Sequence, residues 1–115
     1  MQTQIAILQS RKTPVLGLAV TNMLDDQTSS FSIPEVIVGR SPTCAYILHN
    51  ETVSSTHARL TFHHDQWWVE DLHSTNGTFL NDERISTATV IMNGDDLRCG
   101  QVSIRLTIEE PGNHS

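Results

Sequence analysis

Near the end of this chain every second residue is apolar, and that regularity commits the segment to extended structure. Val102, Ile104, Leu106 and Ile108 would share one face of a strand, with Ser103, Arg105, Thr107 and Glu109 on the other. Ala58, Leu60 and Phe62 alternate with Arg59, Thr61 and His63 in the same way. Val36 and Val38 make a shorter strand that stops at Gly39. Asp65-Gln66 is placed as a turn into a strand from Trp67 to Asp71, and Asn76-Gly77 leads into Thr78–Leu80. Trp67 and Trp68 must face opposite sides of their strand, and the pattern leaves open which one is buried. Nowhere does an apolar stripe recur at helical spacing for the ~10 residues that a globular helix needs. The chain is therefore expected to be all-β, a sandwich or barrel of short strands.

Its 115 residues suit one domain. Residues 1–30 are expected to add N-terminal strands and a polar loop over Thr21–Ser30 to the sandwich. Residues 31–108 would hold the core, and 109–115, with Pro111 and Gly112, would begin a tail or linker. The stretches Ile5–Leu8 and Val15–Val20 are too short to cross a bilayer, and no leader peptide is visible after Met1, so a cytoplasmic location without membrane insertion is expected. Cys44 and Cys99 are then read as buried, reduced thiols. The formal net charge is −6, and the cations are Lys12 and six scattered arginines. That balance argues against a nucleic-acid partner, which would need clustered Lys and Arg. An anionic ligand would have to be held at one local site, against the overall field.

Three clusters carry the chemistry: Gly39-Arg40-Ser41, then Val53-Ser54-Ser55-Thr56-His57-Ala58, then Asp71-Leu72-His73-Ser74-Thr75-Asn76-Gly77-Thr78-Phe79-Leu80-Asn81. Each sits at a strand end or in the loop beyond it. Gathered at one end of a sandwich, they would offer a guanidinium, several hydroxyls, a carboxamide and free backbone N–H groups. That donor-rich set with one fixed cation suits a phosphate dianion, and the planar fork of Arg meets two phosphate oxygens at once. Each cluster alone has a plainer reading: Asn-Gly as a hairpin turn, Gly39-Arg40 as a turn glycine and a solvated arginine, the serines as satisfiers of local backbone.

Together, in this order and spacing, the Gly-Arg, the Ser-x-x-His and the Ser-Thr-Asn-Gly-Thr run resemble the forkhead-associated (FHA) family, with the motifs matched from about Val36 to Asn81. The resemblance implies a two-sheet β-sandwich of about eleven strands, FHA/SMAD-like, whose loops at one end bind phosphothreonine. Carried over by position, Arg40, Ser54 and Thr75 match phosphate contacts. Ser55 adds a further phosphate contact at a position where the family often has Arg or Asn. Asn76 matches the residue that holds the peptide main chain, while Gly39, His57 and Gly77 support the loops. The implied function is a phosphothreonine-dependent binding module acting downstream of a Ser/Thr kinase, monomeric, without catalysis, cofactor or metal. Phospho-independent contact or weak self-association through the same fold is the alternative. No basic side chain stands at Thr52 or Val53 ahead of Ser54, so an acidic preference in the ligand is not assumed.

Two rivals are weighed against this. A hydrolase built on Ser54, His57 and Asp71 lacks the Gly-x-Ser-x-Gly elbow. A metal site from His63, His64, Asp65 and His73 is disfavoured because adjacent strand residues point to opposite faces.

Overall fold

The computed structural model describes residues 15–109; the Ile5–Leu8 run, Lys12 and the tail beyond Glu109 lie outside them. The described residues hold eleven strands and no helix: β1 Gly17–Asn22, β2 Thr28–Phe31, β3 Glu35–Gly39, β4 Tyr46–Ile47, β5 Ala58–His63, β6 Gln66–Asp71, β7 Thr78–Leu80, β8 Glu83–Arg84, β9 Thr89–Val90, β10 Asp95–Cys99 and β11 Val102–Glu109. They form a six-stranded sheet ordered β2-β1-β11-β10-β7-β8 and a five-stranded sheet ordered β4-β3-β5-β6-β9. The alternation in the sequence is the cause. Val102, Ile104 and Leu106 of β11, Leu97 and Cys99 of β10, and Leu18 and Val20 of β1 are buried from one sheet. Val36, Val38, Ala58, Leu60, Trp67 and Val69 are buried from the other, and the two sets join in one core. Of the two tryptophans it is Trp67 that is fully buried, its indole N–H donating to the Leu16 carbonyl at 3.0 Å and its ring 5.6 Å from that of Phe62. Burying so large a side chain removes ~150–250 Å² from water, about 4–6 kcal/mol of transfer free energy as an upper figure.

Two local readings are corrected. Thr21–Ser30 is not one exposed loop: Thr21 and Asn22 complete β1, and Thr28–Ser30 make most of β2. β2 is an edge strand with Thr28, Ser29 and Ser30 exposed, so burial imposes no alternation on it, and its pairing with β1 is fixed by the backbone and by a Thr21–Thr28 hydroxyl contact of 2.8 Å. The β5–β6 turn is His64-Asp65, one residue earlier than expected; φ values of 53° and 64° make it a two-residue type I′ loop closed by His63 and Gln66. Asn76-Gly77 closes no hairpin, because β6 and β7 lie in different sheets.

Strand register decides where the loops go. Val38 pairs with Ala58, Ala58 with Asp71, Thr78 with Cys99, and Cys99 with Val102. The β3–β4, β4–β5, β6–β7 and β10–β11 connections therefore emerge at one end of the sandwich, called apical below.

Candidate functional site

Gly39 ends β3 where the β4–β5 loop crosses it most closely. A Cβ there would sit 2.2 Å from the Ser55 carbonyl oxygen, so only glycine admits the approach. The approach lets Arg40 N–H donate to the Ser54 carbonyl at 2.9 Å and Ser41 N–H to the Ser55 carbonyl at 3.1 Å. The exposed Arg40 side chain is tethered as well: its Nε donates to the Val53 carbonyl at 2.9 Å, which leaves both terminal nitrogens for a ligand.

The second and third loops are bound to each other as tightly. Ser54 Oγ accepts from the Thr75 amide at 3.0 Å, so its own proton stays uncommitted. Asn76 Nδ2 donates to the Thr52 carbonyl at 2.8 Å. Thr52 in turn takes the Gln101 amide on its hydroxyl at 2.9 Å, which ties in the β10–β11 turn. Beneath them His57 is fully buried. Its Nδ1 accepts from the Ser54 amide at 3.0 Å, which makes Nε2 the protonated nitrogen, donating to the Gly77 carbonyl at 2.8 Å. One ring thus fixes the spacing between the Ser54 and Asn76 loops. Gly77 follows with φ of 89°, a conformation suited to glycine. The structure therefore brings Arg40, Ser54, Ser55, Thr75 and Asn76 to one end, over Gly39, His57 and Gly77. The hydroxyls of Ser55 and Thr75 are exposed there.

In the sequence Asp71 heads the third cluster and is weighed as a triad member, and the structure gives it another part. Its carboxylate accepts from the Ser74 amide at 3.1 Å, from the Ser74 hydroxyl and from the Thr78 hydroxyl at 2.6 Å, which folds the β6–β7 loop around one acceptor. Burial alone would raise its pKa, but the hydrogen bonds from Ser74 and Thr78 hold it below the usual 3.8. An Asp with a hydroxyl residue three positions on is the signal that would have found it.

The rival chemistries fail on geometry. Both His57 ring nitrogens are engaged by backbone groups, the Ser54 hydroxyl meets Thr75 rather than His57, and Asp71 serves Ser74 and Thr78. Nothing there forms a nucleophile–base pair. For the metal site the opposite-face argument does not hold, since His64 is a turn residue and its ring lies 3.7 Å from that of His63. The site fails instead because His73 belongs to the apical loop, at the far end of β6 from His63, His64 and Asp65. A hollow of about 330 Å³ on the five-stranded sheet, lined by Arg59, His63, His64 and Trp68, also lies away from the apical loops.

The sequence matches the FHA domain family over residues 36–100. It is 38% identical over 71 residues to the FHA domain-containing protein FhaB of Mycobacterium tuberculosis, covering 62% of this chain and 46% of that protein. It is 34% identical over 96 residues to the oxoglutarate dehydrogenase inhibitor of Corynebacterium jeikeium, covering 84% of this chain and 60% of that one. The chain thus spans about half the length of the curated relatives it matches. Among solved structures, the FHA domain of an Arabidopsis thaliana hypothetical protein superposes with a TM-score of 0.80 at 20% identity, covering 89% of this chain and 95% of that one. The N-terminal FHA domain of Saccharomyces cerevisiae Rad53p, in complex with a phosphothreonine peptide, superposes with a TM-score of 0.74 at 20% identity, covering 80% and 93%. At such identities these superpositions speak for the fold.

Proposed function

This chain belongs to the FHA domain family, and from that premise we propose that its apical loops bind a phosphothreonine-containing segment of a partner protein, as a recognition module downstream of a Ser/Thr kinase. The observation that carries the reading is the apical assembly itself: an exposed guanidinium tethered by one nitrogen, beside the Ser54 hydroxyl and the Thr75 backbone. A phosphate dianion accepts many hydrogen bonds at once, and these donors are held in place before it arrives. In this reading Arg40 provides the charge-assisted fork, Ser54, Ser55 and Thr75 the neutral donors, and Asn76 the contact to the peptide main chain. Gly39, His57 and Gly77 position the loops. The role is binding rather than catalysis and uses no cofactor. Free thiols at Cys44 and Cys99 fit a cytoplasmic location.

Discrimination between phosphothreonine and phosphoserine has to come from the methyl group, since the phosphate oxygens are common to both. Burying one carbon contributes ~0.8 kcal/mol, and a shaped recess reaches about 1–3 kcal/mol. The test is calorimetric titration with one peptide sequence in threonine, phosphothreonine and phosphoserine forms. The phosphothreonine form should bind at about micromolar Kd, the phosphoserine form more weakly and the unmodified form not measurably. Arg40→Ala should abolish binding and leave the melting temperature nearly unchanged. Binding by that variant within about threefold of wild type, a difference of ~0.65 kcal/mol, would overturn the assignment.

A further inference from the structure

Among the described arginines, Arg59 is neutralised by Glu70 at 2.9 Å and Glu35 at 3.5 Å, and Arg105 by Asp96 at 3.0 Å. Arg40, Arg84 and Arg98 make no ion pair among the described residues. Arg40 is apical, and register places the other two on either side of Phe79. Phe79 of β7 lies opposite Arg98 of β10 on one side and Arg84 of β8 on the other. All three point outward from the six-stranded sheet, because Thr78, Leu80, Leu97 and Cys99 fill the inward positions. The Arg98 guanidinium carbon lies 4.0 Å from the centre of the Phe79 ring and that of Arg84 lies 6.0 Å from it. Arg98 also donates through Nη1 to the Gly100 carbonyl at 3.1 Å. Arg84 stands against Gly77, where a Cβ would come within 3.1 Å of its guanidinium carbon. The two apical turns that these arginines flank are joined by Gly100 N–H donating to the Gly77 carbonyl at 3.3 Å.

We infer that Arg84 and Arg98, stacked about Phe79, form a second anion subsite that takes an acidic side chain of the same phosphorylated segment; this rests on the phosphopeptide reading above. A guanidinium stacked on an aromatic ring uses its face and keeps its in-plane N–H groups for a carboxylate. In a chain of net charge −6, an acidic segment is repelled everywhere except where cations stand unopposed, and here they stand beside the phosphate loops. The sequence neighbours of Ser54 gave no reason to assume an acidic preference. The cations come instead from strands far along the chain.

Calorimetry on the full chain would compare two phosphothreonine peptides that differ only in carrying glutamate or glutamine at the flanking positions. Wild type should prefer the glutamate peptide by about fivefold at low salt, the scale of an exposed ion pair, with the preference narrowing as salt rises. Arg84→Glu should erase or invert the preference, and Arg98→Lys, which keeps the charge and loses the planar stack, should reduce it. Equal binding of both peptides by wild type, or an undiminished preference in Arg84→Glu, would overturn the subsite while leaving the phosphate reading intact. An equal loss of both peptides in Arg84→Glu would assign Arg84 to the Gly77 loop rather than to the ligand and overturn it too. Failure of wild type to bind either peptide would remove the phosphopeptide reading and the subsite with it.

Discussion

Replacing His57 with alanine tests whether one buried ring holds the apical end together. The substitution strips the Ser54 amide of its acceptor, a part-buried contact of 3.0 Å, and the Gly77 carbonyl of one of its two donors, a buried contact of 2.8 Å. The Ser54 amide left unpaired costs about 1–3 kcal/mol. The Gly77 carbonyl keeps the Gly100 amide at 3.3 Å and loses one hydrogen bond of about 1 kcal/mol, and the vacated imidazole volume adds a cavity term where the loops do not collapse. The sum is ~2–4 kcal/mol before any cavity, a large share of the roughly 5–15 kcal/mol by which domains of this size are stable. With about 4–8 °C of melting temperature per kcal/mol, the midpoint should fall by ~8–32 °C. Thermal unfolding followed by circular dichroism reads this directly, with His63→Ala, at an exposed strand end, as the control expected to change little. Phosphopeptide titration well below the lowered midpoint should also show weakened binding, since Ser54 and Thr75 lose their fixed spacing. A midpoint within about 5 °C of wild type would refute the reasoning, because water or a shifted loop would then be satisfying the Ser54 amide at little cost.

Gly39→Ala forces a Cβ to 2.2 Å from the Ser55 carbonyl oxygen, so backbone must move; a loss of about 1–3 kcal/mol is expected in urea unfolding, along with weakened ligand binding. Asp71, held below its ordinary 3.8, contributes stability that is present above that pH and lost as pH falls through its folded value. Asp71→Asn should therefore be less stable than wild type at neutral pH, with the gap closing in acid, and a gap independent of pH would contradict the account. The Cys99 thiol is pushed up to about 12, first by burial and then by the charge of Asp71. Its contribution is whole below pH 9.0 and lost as pH climbs toward about 12, so Cys99→Ala should flatten the alkaline limb of a stability–pH curve.

The strands legible in the sequence are those with one wet and one dry face. β11 and β5 announce themselves because Ile104 and Leu60 are buried while Arg105 and Arg59 are not. β2 was illegible for the converse reason: an edge strand exposed on both faces is free to read Thr-Ser-Ser. The His64-Asp65 turn slipped by one residue because neither residue is glycine, although both adopt positive φ. At the apical end, Arg40, Ser54, Thr75 and Asn76 were found as a conjunction of motifs. The contacts that seat them, from Val53, Thr52 and Gly77, run through carbonyl oxygens, which every residue carries and no sequence displays. Arg84 and Arg98 were hidden differently, since their nearness to the loops exists only once β8 and β10 have paired on either side of β7.

The pairing of β1 with β11 has a mechanical consequence. Gly17 stands opposite Glu109, so the chain enters and leaves the described fold side by side, at the pole away from Arg40 and Asn76. Tension applied through those two points does not shear the ladder as a whole. It peels an antiparallel pair open from one end, breaking Gly17–Glu109 and Leu18–Ile108 before it reaches Thr21–Arg105 and Asn22–Ile104. The rungs beside the binding loops are the last to be loaded. The apical loops are thus shielded from a pull through Gly17 and Glu109 until the far end of that seam has already parted.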